Sequence, residues 1–382
     1  MAGLMHLHLI EPRPDGHRMQ YVRRLVEIAP KDWSISLSTF SGSVKHPATQ
    51  EALAAGGERI TLVTIDGQTD FERHVRGSDG SRLQPAYWRL LRRHWRALRP
   101  AQRGDLAVVP YLDYCSYAIG LLGSPFGHTP FSGIVMRPDF HWPEQGVVSP
   151  APRQERLKRW LFLRLLANRR LKCLLTIDPS LRDWMVKHQP RGHERLRYAD
   201  DPSDMQGIGD RAAARRHFGL RRCANVVLLY GSIDLRKGVT PLLEAMTGNS
   251  WPDDTQLLLA GRQSAEVREL LTARLAGVNP GRLVQVDQYL DRQEEWLAFA
   301  AADACWVAYD SFFGPSGVVA QCVQAGVKMI YRPQGLIGYQ LSRASKNHEP
   351  PWVLALGLRV AILPPETTAN SPNAGLGQVF GG

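Results

Sequence analysis

The chain has 382 residues, 44% hydrophobic and 22% charged, with 34 Gly and 26 Pro; this length suits two domains of roughly 150 to 200 residues each, and the apolar content argues against a disordered chain. Its five cysteines, Cys115, Cys173, Cys223, Cys305 and Cys322, are scattered, with no C-x-x-C pair and no zinc-like His spacing, which suits a reducing compartment. A formal net charge of +11, from 47 Lys and Arg against 36 Asp and Glu, biases the surface toward anionic partners: phosphates, nucleic acid or acidic lipid.

No stretch approaches the roughly 20 apolar residues that span a bilayer. The first apolar run, Met5–Ile10, reads as a strand rather than a signal peptide, because no basic region precedes it and Glu11-Pro12 ends it. The expected location is cytoplasmic. Further strands are expected near Trp33–Thr39, Arg59–Ile65, Leu106–Leu112, Ile134–Arg137 and Leu171–Ile177, with helices near His17–Ala29, Leu83–Leu98, Gln154–Asn168 and Pro179–His188. This alternation predicts an α/β domain over 1–198. The polar stretch 199–210, with a proline and two glycines, reads as a linker. A second series follows over 211–365. Its strands lie near Asn225–Tyr230, Thr255–Ala260, Leu283–Val286, Ala304–Ala308 and Lys328–Tyr331, and its helices near Val239–Met246, Ala265–Ala276, Arg292–Ala302 and Gly317–Ala325. The residues 366–382 read as a loose tail. The fold class expected is therefore α/β, with two Rossmann-like doubly wound domains facing a cleft.

Two segments of the second series carry phosphate chemistry. The strand ending at Tyr230 runs into Gly231, and Arg236-Lys237-Gly238 follows just before a helix. Glycine at a strand end admits backbone N–H groups to a ligand, and the cations and helix N-terminus compensate negative charge. There is no P-loop spacing, which argues against a nucleoside triphosphatase. The second segment leaves the strand Ala304–Ala308 and enters a helix at Gly317; Ser316 is placed to cap it, and the amides of Gly317, Val318 and Val319 point at an anion. Two anion sites on neighbouring strand ends suit a diphosphate. Taken singly, each segment has a plainer explanation as turn glycines, a solvated basic pair and an ordinary cap.

The order of these elements resembles the GT-B glycosyltransferases, specifically the large retaining family 4. The resemblance rests on Gly231 to Gly238, on Leu257-Leu258-Leu259-Ala260-Gly261, on Ala301-Ala302-Asp303 through Val307, and on Gln324-Ala325-Gly326 through Ile330, and covers nearly all of residues 225–338. It implies a hexosyltransferase-type enzyme that moves a sugar from a nucleotide-diphosphate sugar to a glycan or lipid-linked acceptor, in cell-surface polysaccharide or glycoconjugate synthesis. By the same resemblance, Gly231, Ser232, Arg236, Lys237, Ser316, Gly317 and Val318 hold the donor phosphates. Ser232 stands where the family has an arginine. Phe313 and Gln321 stand where it has two glutamates, one by the donor sugar and one by the nucleotide ribose. Gly16 and His17 fall in the acceptor-side loop, and His17, Arg137 and Asp113 are the candidate catalytic groups. His17 also has a bland reading as a surface or structural histidine, and Arg137 as a salt bridge at a strand end.

No Asp-x-Asp triplet occurs, so no metal and no other cofactor is expected. The segment Arg153–Lys172 is a basic amphipathic helix suited to an acidic membrane surface at the inner face, or to packing on the sheet of its own domain. Two further readings stay open. One is a catalytically silent GT-B protein that binds a nucleotide sugar or a partner enzyme, motivated by Ser232, Phe313 and Gln321. The other is a nucleic-acid-binding protein, against which stands the lack of aromatics interleaved with the basic residues.

Overall fold

Strands that are buried along their whole length need cover on both faces, and that requirement sets the architecture. Thr255–Ala260 is buried at every position, Phe131–Val135 likewise, and Asn225–Tyr230 at all but its two ends. The computed structural model describes residues 5–14, 18–77, 82–201, 209–247, 251–274, 280–342, 345–346 and 358–363. These form two compact units, one of residues 5–145 and 150–201, the other of 146–149 and 209–363.

The first unit runs β1 (His6–Ile10), α1 (Arg18–Ile28), β2 (Ser34–Phe40), α2 (Pro47–Gly56), β3 (Ile60–Ile65), α3 (Gln68–Gly77), α4 (Leu83–Ala97), β4 (Leu106–Val109), α5 (Ser116–Leu122), β5 (Phe131–Val135), α6 (Trp142–Gln145), α7 (Glu155–Leu166), β6 (Leu171–Thr176), α8 (Pro179–His188) and β7 (Leu196–Tyr198). Its sheet is parallel throughout, in the order β3-β2-β1-β4-β5-β6-β7. The second unit runs α9 (Arg211–His217), β8 (Asn225–Tyr230), α10 (Val239–Thr247), β9 (Thr255–Ala260), α11 (Ala265–Arg274), β10 (Leu283–Val286), α12 (Arg292–Ala301), β11 (Ala304–Trp306), α13 (Gly317–Ala325), β12 (Lys328–Tyr331), α14 (Gly335–Leu341), β13 (Ser345–Lys346) and β14 (Arg359–Ile362). Its order is β10-β9-β8-β11-β12-β14-β13; β14 runs antiparallel to both β12 and β13, and the other pairings are parallel. Both are doubly wound, Rossmann-like sheets with an apolar cluster on each face.

The elements differ from the sequence expectation at informative places. β5 stops at Val135 rather than Arg137, because the amides of Met136 and Arg137 donate to the Asp113 carboxylate instead of to a neighbouring strand. Short helices α2, α3, α5, α6, α9 and α14 and strands β7, β13 and β14 were not expected. α2 starts where His46 accepts the Ala48 amide and Pro47 supplies a ready-made first turn. At the end of the stretch read as a linker, Asp210 caps α9 through the amides of Ala212 and Ala213. Residues 202–208, and the tail 366–382, lie outside the described residues.

One buried polar chain was also unforeseen. His8 on β1, Ser38 on β2 and His94 on α4 form a line: His8 Nε2 is 2.7 Å from Ser38 Oγ, which is 2.7 Å from His94 Nε2. The Gln102 carbonyl, 3.0 Å from His8 Nδ1, requires the proton there, so neutral His8 accepts from Ser38 and Ser38 accepts from His94. Burial pushes His8 down to about 3, aided by repulsion from His94 and His6, and pushes His94 down to about 4. The unfolded chain, with histidines near 6.5, then binds more protons than the folded one as pH falls below 6.5. Stability must drop through that window, by about 1.4 kcal/mol per pH unit for each histidine. A melting midpoint that falls steadily from pH 7 to pH 4.5, less steeply in His94→Gln, is the expected result. A midpoint that does not change over that range would contradict the assignment.

Candidate functional site

In the second unit, β8 and β11 lie side by side where the strand order reverses, and ligands of such sheets gather beyond the carboxyl ends at that point. The loop leaving β8 is shaped by close backbone approach. Gly231 has φ +97°, and a Cβ on Gly261 would sit 1.9 Å from the Gly231 carbonyl. After Asp234 the chain makes a tight helical turn over Leu235–Lys237, closed by Gly238 at φ +73°. A Cβ on Gly238 would meet the Ala308 carbonyl at 2.4 Å, so only glycine lets this turn lie against the exit of β11. The turn is tied to that exit by Asp310 N–H to Arg236 O at 2.7 Å and Trp306 Nε1–H to Lys237 O at 3.1 Å.

The result is a buried cation. Lys237 is 8% exposed; its Nζ donates to the Tyr230 carbonyl at 2.8 Å and to the Tyr309 hydroxyl at 3.3 Å, and stands 4.8 Å from the centre of the Tyr309 ring. Burial pushes its pKa down to about 8; the neighbouring Arg236 adds to that, while Cys305, Asp234 and Cys322 oppose it. Tyr309 connects the two segments read from the sequence, because its hydroxyl also lies 3.4 Å from Ser316 Oγ. Ser316 therefore differs from expectation. It occupies the N-cap position of α13, yet its side chain makes no capping bond and turns to Tyr309 instead, leaving the first-turn amides of Gly317 and Val318 without a side-chain cap. Such a helix start favours an anion.

Around this cradle, Ser232 and Arg236 are exposed. The Arg236 guanidinium lies 5.1 Å from the Phe312 ring centre and 3.4 Å from Asp234 Oδ2. The Phe313 backbone is fixed from below: its carbonyl accepts the Leu336 amide at 2.9 Å, and a Cβ on Gly335 would meet Phe313 Cα at 2.6 Å. Gln321 does not point at the cradle. Its Nε2 donates to Glu295 Oε1, the same oxygen that accepts the Tyr230 hydroxyl at 2.8 Å. Tyr309 and Glu295 are the site residues that sequence reasoning missed; the tyrosine directly follows the strand run Ala304–Ala308 and was legible as a strand-end aromatic, whereas nothing local marks the glutamate.

In the first unit, Asp113 and Arg137 come together through the backbone. Asp113 lies in a helical turn, Leu112–Tyr114, after β4, and its oxygens accept from Met136 N–H at 2.9 Å and Arg137 N–H at 2.8 Å. Burial raises its pKa, opposed by those two amides and by the Arg137 charge. The carboxylate thus clamps the exits of β4 and β5, and the Arg137 side chain is exposed beside it. Gly16 and His17 lie outside the described residues. Next to them in sequence, Arg18 was not foreseen: its guanidinium lies 4.4 Å from the Tyr111 ring and 4.8 Å from the Tyr114 ring, and donates to the Tyr114 hydroxyl at 2.7 Å. Burial works against its charge, but Glu11 and the surrounding tyrosines raise its pKa overall.

The basic helix α7 divides its apolar residues. Phe162, Leu165 and Leu166 are buried in the unit, while Leu157 and Trp160 remain 48% and 47% exposed. α5 crosses it closely at Gly120, whose Cβ would fall 2.0 Å from the Leu161 carbonyl, and ends in exposed Leu121 and Leu122. Arg164 joins the two helices, its guanidinium 4.9 Å from the Trp160 ring and its Nε 2.8 Å from the Gly120 carbonyl.

No protein-family model and no curated protein matches the chain. Solved structures do. HepE from Anabaena, in complex with UDP and glucose, is 13% identical with a TM-score of 0.59, over 99% of this chain and 94% of that one. Sucrose-phosphate synthase from Thermosynechococcus elongatus is 16% identical with a TM-score of 0.63, over 98% and 88%. An α,α-trehalose-phosphate synthase (UDP-forming) from Burkholderia vietnamiensis is 11% identical with a TM-score of 0.57, over 92% and 90%. The fold is GT-B.

The cradle has a pH signature. In the free protein the buried charge of Lys237 costs stability below pH 8, a cost relieved as pH rises toward the free-chain value of 10.5. A bound anion favours the protonated amine, so binding takes up a proton above pH 8. Pyrophosphate affinity is expected to hold steady up to about pH 8 and then weaken toward tenfold per pH unit, with Lys237→Ala binding weakly at every pH. Equal wild-type affinity at pH 7 and pH 9.5, measured by calorimetry, would contradict a binding role for this amine.

Proposed function

We propose that the protein is a glycosyltransferase that moves a sugar from a nucleotide-diphosphate sugar to a glycan or lipid-linked acceptor, in the synthesis of a cell-surface polysaccharide or glycoconjugate. The observation that carries this reading is the closed Lys237–Tyr309 cradle at the β8–β11 reversal, facing the uncapped start of α13. The likeness to structures holding UDP and glucose supports a nucleotide-sugar donor.

Glycosyl transfer needs a leaving diphosphate stabilised against an oxocarbenium-like centre, and preorganised donors contribute most to that. Lys237 supplies a cation already stripped of water, Arg236 a second positive charge on the exposed rim, and Gly317 and Val318 their amides. With no Asp-x-Asp triplet in the chain, charge compensation falls to these groups and the reaction runs without a metal. The family resemblance implies retention of anomeric configuration, the acceptor hydroxyl passing its proton to the departing phosphate. By the same resemblance Arg137, whose backbone amide binds Asp113, Asp113 itself and His17 are the candidate catalytic groups, and the Gly16–His17 loop lies on the acceptor side.

A nucleotide sugar at 100-fold excess over its Kd stabilises the folded state by about 2.7 kcal/mol, which raises a melting midpoint by several degrees. A screen of nucleotide sugars is expected to give one such shift, abolished in Lys237→Ala, followed by release of nucleoside diphosphate once the acceptor is added. If no nucleotide sugar moves the midpoint, the proposal fails. Binding without turnover on any acceptor selects instead a silent GT-B protein, the reading favoured by Phe313 and Gln321 at positions without a carboxylate.

The acceptor's lipid is read by the face of α7. Exposed Leu157 and Trp160, with Leu121 and Leu122 beside them and Arg153, Arg156 and Arg164 around them, present apolar and cationic groups together, as a peripheral helix at an acidic membrane surface does. The protein is expected to sediment with anionic vesicles and not with zwitterionic ones, and Trp160→Glu to stay in solution. No difference between the two vesicle types would remove the membrane from this account.

A further inference from the structure

We infer that the outer face of α4 is a binding surface for an acidic glycan, a chain with anionic groups repeated along its length. The inference rests on the glycosyltransferase reading above, which makes such a chain the acceptor or the product of the reaction.

Between Asp79 and Asp105 the sequence holds seven arginines and no carboxylate. α4 sorts its residues by face. Tyr87, Leu90, Leu91, His94 and Trp95 are buried in the unit, while Arg89, Arg93 and Arg96 are exposed and Arg92 is partly buried beside them. At 3.6 residues per turn these four arginines share one stripe, which exposed Arg99 extends beyond the last turn. Neighbours on the stripe stand three or four positions apart, so like charges lie side by side, an arrangement that destabilises a helix on its own. Elsewhere in the unit such charge is balanced: on α1, Arg23 pairs with Glu27 and Glu51, and Arg24 with Glu27. Among the described residues no carboxylate forms an ion pair with the α4 stripe.

The helix that carries the stripe is firmly held. The Trp88 indole donates to the Gly123 carbonyl at 2.8 Å, fixing α4 against the end of α5, and the Arg92 guanidinium lies over the Trp88 ring, 5.1 Å from its centre. Arg103 donates to the Arg96 carbonyl at 3.0 Å and closes the last turn.

Three features select the partner. From Arg89 to Arg96 the stripe covers about 10 Å at 1.5 Å per residue, longer than a single carboxylate or phosphate, so it fits a chain with repeated charges. Its cations are all arginine, whose planar fork takes such groups bidentately. Its outer face is free of apolar and aromatic groups. No large apolar side chain of α4 is exposed, which leaves nothing to enter a bilayer and separates this face from the leucines and tryptophan exposed on α5 and α7. Tyr87, His94 and Trp95 are buried and Trp88 is covered by Arg92, so no ring is open for stacking on bases. An acidic glycan needs only charge and bidentate donors, and the stripe supplies both.

The test measures binding of an oligogalacturonate, a neutral dextran of similar length, a DNA duplex and anionic vesicles to the wild type and to Arg93→Glu/Arg96→Glu. The reversal places each glutamate four positions after an arginine, Arg89 or Arg92, so the helix should be kept and the melting midpoint unchanged or raised. The wild type is expected to bind the oligogalacturonate and not the dextran, with affinity that falls as salt rises. The variant should bind it about tenfold or more weakly and with a flatter salt dependence. The midpoint shift given by a nucleotide sugar should be the same in both. Equal binding of the oligogalacturonate by the two proteins, or wild-type binding of dextran as tight as that of the oligogalacturonate, overturns the inference. A larger loss of duplex or vesicle binding than of glycan binding in the variant also overturns it and assigns the stripe to nucleic acid or membrane. Glycan binding through the stripe with no shift from any nucleotide sugar upholds the surface and overturns the proposed function alone.

Discussion

A lysine amine that is only 8% exposed survives because its surroundings are fixed before any ligand arrives: the carbonyl of Tyr230, the hydroxyl and ring of Tyr309, and the left-handed turn at Gly238. Each depends on the sheet. Tyr230 ends β8, Tyr309 follows β11, and the two strands are adjacent only because the strand order reverses between them. Gly238 presses the turn against the Ala308 carbonyl, and the Trp306 indole bonds the Lys237 carbonyl, so the charged side chain starts from a backbone with no room to move. A charge held this way loses hydration in advance, which is why its pKa falls and why an anion gains from joining it.

The same device recurs in the first unit with other residues. Arg18 is held against Tyr111 and Tyr114 beyond the end of β4, and Asp113 spends its oxygens on the amides that terminate β5. In both units, aromatic faces carry cations at the carboxyl ends of parallel strands, where no ladder partner remains for the backbone. Aromatic rings suit that place because they are apolar toward the core and electron-rich toward a cation.

Legibility in the sequence followed the range of the interaction. The apolar runs of β8 (Val226–Leu229) and β9 (Leu257–Ala260) and the long helices α4 and α7 were plain, because burial writes itself into consecutive residues. α5, seven residues long with its Gly120 there to admit α7, has too little periodicity to read. At the site, Gly231, Lys237 and Gly238 were legible because close approach demands glycine within a few residues of the charge. Ser316 was placed correctly at the helix start, but its bond to Tyr309, seven positions away, belongs to the folded loop. Glu295 was invisible, since its partners Tyr230 and Gln321 lie 65 and 26 positions off and nothing in its own helix distinguishes it from the capping Glu294.

A crystal structure grown with a nucleoside diphosphate addresses the cradle most directly. The diphosphate is expected to lie within hydrogen-bond reach of Lys237 Nζ and of the amides of Gly317 and Val318, with the Lys237 amine turned from Tyr309 toward phosphate oxygen. A nucleotide bound away from the β8–β11 reversal, with Lys237 still closed on Tyr230 and Tyr309, would contradict the account.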